Sequence, residues 1–104
     1  KDEAGKFVWP GYGDNMRVLK WMIDRIEGTA KGKENVFGIS PSYEEITWTG
    51  LNFTPEQFKT VTHIDKSAWV EELKLHEELF KQLAYHLPAE MTATKAALAV
   101  RLAA

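Results

Sequence analysis

The segment Lys6-Phe7-Val8-Trp9-Pro10-Gly11-Tyr12-Gly13-Asp14-Asn15 limits what this chain can fold into, because it runs straight into a helical stretch from Met16 to Glu27. Three aromatics, two glycines and a proline within ten residues make a poor core strand and a shaped loop. Gly11 and Gly13 admit positive φ angles and close approach to the backbone, while Pro10 fixes its own φ and pushes Trp9 into an extended conformation. Phe7, Trp9 and Tyr12 offer flat faces on which a planar ring can stack. Asp14 or Asn15 can cap the following helix, whose first backbone amides are donors for an acceptor on a ligand. The loop therefore reads as part of a binding site.

The helix after it is the best-defined element. Val18, Leu19, Met22, Ile23 and Ile26 follow the spacing of one helical face, with Arg17, Lys20, Asp24 and Glu27 largely opposite, and Gly28 supplies the stop. Before the loop, Lys1 to Lys6 reads as a turn and Phe7 to Trp9 as a strand returning from it. After the helix, Thr29 to Glu34 reads as an exposed loop and Val36 to Ile39 as a brief extended segment. Ser40-Pro41 can open a single helical turn through Tyr43 to Glu45, and Ile46-Thr47-Trp48 has strand composition ending at Gly50.

Thr54-Pro55-Glu56-Gln57 is a capping box with proline at the first helical position, and Phe53 and Phe58 are placed for a hydrophobic staple across it. A short helix to about Thr62 follows. Asp65 can cap the next, where Trp69, Leu73, His76, Phe80, Leu83 and Leu87 share a face until Pro88 ends it. A last, alanine-rich helix spans about Glu90 to Leu102. The expected fold is mainly α, four to five helices with short β segments. Residues 1–15 hold a strand and the aromatic loop, 15–28 a helix, 29–53 an irregular stretch with short strands, and 54–104 helices.

Composition narrows the function. At 104 residues and 44% hydrophobic, the chain is one domain's worth with a modest core. A net charge of −2 implies no nucleic-acid partner. Without cysteine there is no disulfide framework and no thiolate metal site. No apolar run approaches the roughly 18 residues that span a bilayer, and Lys1-Asp2-Glu3-Ala4-Gly5-Lys6 is unlike a signal peptide, so the expectation is a cytoplasmic protein with no membrane partner. His63, His76 and His86 lack metal-ligand spacing, and Glu71-Glu72 and Glu77-Glu78 read as a solvated helix face. Gly11-Tyr12-Gly13 matches neither the P-loop nor the dinucleotide pattern, and no nucleophile motif is present. Neither a catalytic group nor a metal ligand is assigned.

The run from Phe7 to Trp21 resembles the Phe-Leu-Trp-Pro-Gly-Phe-Gly-Glu-Asn-Ser-Arg-Val-Leu segment of GTP-dependent phosphoenolpyruvate carboxykinases. The likeness continues at Asp24-Arg25-Ile26-Glu27-Gly28, Gly38-Ile39-Ser40-Pro41 and Trp48-Thr49-Gly50-Leu51, and beyond Thr54 it rests on helical pattern with support at Trp69 and Leu87-Pro88. The resemblance implies a carboxy-terminal piece of a larger α/β nucleotide-binding domain, with the rest of the parent polypeptide as partner. It implies an enzyme converting oxaloacetate and GTP to phosphoenolpyruvate, CO2 and GDP in gluconeogenesis, with Mn2+ and Mg2+ bound by parts of the parent that precede this one, as do its phosphate loop and reactive cysteine. By match to the motif, Phe7 and Tyr12 would face the guanine base, and Tyr12, Gly13, Asp14 and Asn15 would meet its polar edge, with Asn15 the favoured specificity contact. Tyr12 stands where the family has phenylalanine and Asp14 where it has glutamate. A third aromatic of the slot would lie before Lys1, so the isolated piece is expected to be inactive and to bind GTP poorly. The other reading is a free-standing helical interaction module whose aromatic loop grips a partner protein.

Overall fold

The computed structural model describes residues 1–104, which divide into two compact units, Lys1–His63 and Ile64–Ala104. Four α-helices and one two-stranded sheet make up the regular structure. The mainly helical expectation therefore holds.

In the first unit, residues 2–6 close a turn in which the Gly5 N–H donates to Asp2 O at 2.9 Å. Phe7–Trp9 is not a strand, contrary to expectation: a strand exists only through pairing, and no segment of residues 1–104 pairs with it. A short 3-10 turn, Tyr12–Asp14, leads into helix α1, Asn15–Ile26. Gly28 ends α1 with φ of +81°. The Thr29 N–H reaches back to Asp24 O and the Gly28 N–H to Arg25 O, which is the paired hydrogen bonding of a Schellman stop.

The face by which α1 packs is the reverse of the one its aliphatic pattern suggests. Trp21 is 6% exposed and forms the unit's core with Ala30 and Ile46. Arg17, one turn before it, sends Nη1 to the carbonyl oxygens of Thr47 and Thr49 at 2.6 and 3.0 Å. Asp24, one turn after, takes the Thr29 and Ala30 N–H groups on its carbonyl. Met16, Leu19, Met22, Ile23 and Ile26 lie on the opposite side and are exposed. The reason is chemical. One large ring plus a guanidinium that satisfies two loop carbonyls anchors the helix, and the aliphatic side chains on its other side stay exposed. Burial of a tryptophan-sized surface is worth roughly 4–6 kcal/mol as an upper figure.

The stretch after α1 holds a hairpin rather than a loop and one extended segment. Strands β1, Lys33–Asn35, and β2, Gly38–Ser40, pair antiparallel with Glu34 opposite Ile39. Asn35 builds the turn by accepting the Phe37 N–H on Oδ1, and its Nδ2 donates to Ser40 Oγ. The next 3-10 turn, Tyr43–Glu45, is capped by Ser42 in a capping box with Glu45, two residues later than the expected start at Ser40-Pro41. Ile46-Thr47-Trp48 joins no strand, because the carbonyls of Thr47 and Thr49 are taken by Arg17 instead of a ladder.

Helix α2, Pro55–Thr62, starts on the expected box: Thr54 Oγ1 accepts the Gln57 N–H and Gln57 Oε1 accepts the Thr54 N–H. Phe53 and Phe58 flank Trp48, stacked at 5.1 Å and edge-on at 5.9 Å. Tyr43 stacks on Trp48 at 5.1 Å and locks the group through its hydroxyl, which donates to Phe53 O.

The second unit is a pair of helices, α3, Lys66–Gln82, and α4, Ala89–Ala103. Asp65 caps α3 by accepting the Ser67 and Ala68 N–H groups, as expected. The helix stops at Gln82 rather than at Pro88, and residues 83–86 form turns that let α4 pack back on α3. Leu73 and Leu102 are buried, and Lys95 pairs with Glu77 at 3.4 Å. No helix of this chain is long and apolar enough to cross a membrane.

Candidate functional site

The first unit presents a cavity of about 410 Å³ lined by Tyr12, Gly13, Asn15, Met16, Val18, Leu19 and Met22. Its size falls in the range of small-molecule sites. The glycine-bearing loop supplies one side and the exposed side of α1 the other. Residues that looked like core from their spacing are thus the apolar wall of a cleft.

Of the five residues singled out in the sequence, three line this cavity: Tyr12, Gly13 and Asn15. Tyr12 is 91% exposed, its ring free for a planar group to lie against. Phe7 and Asp14 do not line it. Phe7 is 76% exposed, with the Lys1 ammonium 4.9 Å over its ring. Asp14 turns to Arg17, accepting Nε–H on Oδ1 at 2.9 Å. Neither Asp14 nor Asn15 caps α1 with its side chain, because both are already engaged. Asn15 Oδ1 accepts the indole N–H of Trp9 at 2.8 Å.

Trp9 is accordingly not a free stacking face. Its ring packs edge-on against Phe53 at 5.5 Å and Trp48 at 6.4 Å, joining the cluster that Tyr43 and Phe58 complete. The loop is thereby tied at two points, by Trp9 to that cluster and by Asp14 through Arg17 to the carbonyls of residues 47 and 49. The sequence reading missed Arg17 as an anchor and Met16, Val18, Leu19 and Met22 as cavity wall. The available signal was the one tryptophan in α1: Trp21 marks the packed side, which leaves the aliphatic stripe facing out.

No three histidine, aspartate or glutamate side chains converge in a group that could hold a metal ion. His76 is half-exposed beside Glu72, with Nε2 3.5 Å from Oε1, rather than packed into the helix face.

Residues 1–101 match the family described as the phosphoenolpyruvate carboxykinase C-terminal P-loop domain, GTP type. The chain is 41% identical over 104 residues to phosphoenolpyruvate carboxykinase (GTP) of Anaeromyxobacter dehalogenans strain 2CP-C, covering all of this chain and 17% of the relative. The protein of the same name from Paenarthrobacter aurescens strain TC1 is 41% identical over 98 residues, 94% of this chain and 16% of the relative. That of Corynebacterium glutamicum strain R is 36% identical over 104 residues, again all of this chain and 17% of the relative. The chain thus spans about one sixth of the length of the curated relatives it matches.

Proposed function

The chain belongs to the phosphoenolpyruvate carboxykinase C-terminal P-loop domain family of the GTP type, and from that membership we propose that residues 7–15 and the outer side of α1 form the guanine slot of a GTP-dependent phosphoenolpyruvate carboxykinase. The parent enzyme would convert oxaloacetate and GTP to phosphoenolpyruvate, CO2 and GDP, a cytoplasmic step of gluconeogenesis. This piece contributes nucleotide recognition and no catalytic group, and Mn2+ and Mg2+ are held by residues elsewhere in the parent. Positioning and charge neutralisation dominate phosphoryl transfer, so a segment that fixes the base contributes by holding the phosphates in register.

The observation that carries the reading is the cavity itself. It joins an exposed aromatic ring, Tyr12, to an apolar wall and a single amide side chain, Asn15. A flat base with a polar edge suits that set: the faces take the ring and the amide takes the edge. Phe7 and Asp14 are proposed to join the slot with the base in place, Phe7 as a second face and Asp14 at the edge.

The test is the rate of oxaloacetate decarboxylation by a full-length carboxykinase carrying this segment, with GTP and with ATP, for wild type and Tyr12→Ala. Base stacking on an aromatic side chain is worth roughly 1–3 kcal/mol, so the substitution raises the GTP concentration needed for half-maximal rate about tenfold or more. A rate without GTP preference, or one indifferent to Tyr12→Ala, leaves the loop as a packing element and overturns the assignment.

A further inference from the structure

An asparagine amide is ambiguous as a recognition group: it can present its oxygen to a donor or its nitrogen to an acceptor, and a half-turn of χ2 exchanges the two. Asn15 is not free to do so. The indole N–H of Trp9 is a donor only, and at 2.8 Å it requires an oxygen, so Oδ1 is committed to it. Nδ2 donates to no protein group and, with the Tyr12 hydroxyl, is a side-chain polar group left for a ligand in the cavity that Asn15 lines. Trp9 is itself held edge-on between Phe53 and Trp48, so the donor that sets the amide cannot swing away without breaking an aromatic cluster.

We propose that Trp9 is the positioning residue of the slot: its N–H holds the Asn15 amide with Nδ2 toward the ligand, and the slot thereby selects purines with an oxygen at position 6 over purines with an amino group there. This rests on the guanine-slot reading and adds the origin of its selectivity. Guanine and hypoxanthine present an acceptor at position 6, which an N–H group can meet. Adenine presents an amino donor there, and two donors facing each other leave both unpaired in a partly desolvated site. With Trp9 absent, the amide can rotate, and Oδ1 can accept the adenine amino group as readily as Nδ2 can meet the guanine oxygen.

The experiment is equilibrium binding of GDP, IDP and ADP to the full-length carboxykinase carrying this segment. Trp9→Phe removes the donor. Replacement of Trp9 by 3-benzothienylalanine removes it while keeping the two-ring shape, which guards against loss of the cluster. Both replacements leave GDP and IDP within about twofold, since a freed amide can still present Nδ2, and strengthen ADP about tenfold, so the GDP-to-ADP affinity ratio collapses. A purely structural Trp9 would weaken all three nucleotides alike, and that result, or an unchanged ratio in the isostere, overturns the proposal. Asn15→Asp separates the two readings. It keeps an acceptor for the Trp9 N–H and deletes the ligand-facing donor, so GDP and IDP weaken. If Asn15→Asp weakens GDP while the Trp9 isostere leaves the GDP-to-ADP ratio unchanged, the slot stands and the positioning role fails. If Asn15→Asp leaves GDP and IDP unchanged, the base does not meet Asn15 and both readings fall.

Discussion

Glu45 shows how one side chain holds three segments of the first unit in place. Its Oε1 accepts the backbone N–H groups of Lys31 and Gly32 at 2.8 and 2.9 Å, and its Oε2 accepts that of Ser42 at 3.0 Å and the indole N–H of Trp21 at 3.4 Å. These donors favour the charged form, with the Gly32 and Ser42 amides contributing most, and the carboxyl is lowered from 4.5 to about 2. The folded state binds the proton less tightly than the unfolded chain, so the stabilisation is fully present above the unfolded value and disappears as pH falls from 4.5 through about 2. Glu45→Gln removes it and turns one donor toward the Ser42 and Trp21 N–H groups. The expected outcome is a lower Tm at pH 7, with the gap to wild type closing as pH is lowered from about 5 to 2, read by thermal unfolding across that range. A gap independent of pH would mean that Glu45 acts by shape alone. Half of this was legible in the sequence: Ser42-Tyr43-Glu44-Glu45 is a capping box in plain view. The other half was not, because Lys31 and Gly32 lie more than a dozen residues away, and nothing local announces that their amides need a carboxylate. Asn15 failed as a cap for the same reason, claimed by the Trp9 indole six residues back, whereas Asp14 is claimed by Arg17 at the i,i+3 spacing that sequence does bring near.

Several stops and starts set by local chemistry were legible, though not the turn expected at Ser40-Pro41 or the stop expected at Pro88. Gly28, Thr54-Pro55-Glu56-Gln57 and Asp65 did what their residue types require, and the two units inherit their helix boundaries from them. Strands were legible only in part, because a ladder depends on a partner: the extended segment from Val36 to Ile39 overlaps β2, whereas β1 was read as a loop. Lys33-Glu34-Asn35 is polar, and as half of a two-stranded ribbon it need bury no face, so no alternation marks it. Two glycines test how much each junction depends on space rather than on backbone freedom. At Gly28 a Cβ would meet nothing within 4 Å, so Gly28→Ala costs only the left-handed conformation, about 1 kcal/mol. At Gly32, with φ of +70°, a Cβ would sit 2.4 Å from Ile39 Cγ2 and 3.0 Å from Trp21 Cζ2. Gly32→Ala adds overpacking against the core tryptophan and the hairpin, for a total of roughly 2–5 kcal/mol. Chemical denaturation of the two variants should therefore rank Gly32→Ala well below Gly28→Ala. Equal losses would place the burden at both sites on the backbone and none on the packing of β2 against Trp21.

At the scale of the whole molecule, the surface is larger than these residues need for themselves. Two compact units of 63 and 41 residues, counted with no surface in common, would expose roughly 7,100 Å². The chain exposes 8149 Å², and six hydrophobic side chains are all that count as buried. Part of the excess lies on α1, which carries Met16, Leu19, Met22, Ile23 and Ile26 in the open, opposite Trp21. Met16, Leu19 and Met22 belong to the cavity, but Ile23 and Ile26, the latter 86% exposed, lie outside it and have no ligand to meet. An aliphatic stripe of this size on a chain that spans 17% of its relatives' length is what a face cut from a larger core would look like. The sequence reading had the stripe right and named nothing that meets it, since periodicity marks an apolar face without saying what lies against it. The double substitution Ile23→Glu with Ile26→Glu separates the two cases. In the 104-residue chain, sedimentation should show concentration-dependent association that the double substitution abolishes, because two charges replace the adhesive surface. Made in a full-length carboxykinase carrying this segment, the same charges are forced into an apolar contact and lower Tm by roughly 5 °C or more. If the full-length protein keeps its Tm, the stripe beyond the cavity faces water in the parent too, and the excess surface belongs to the segment itself.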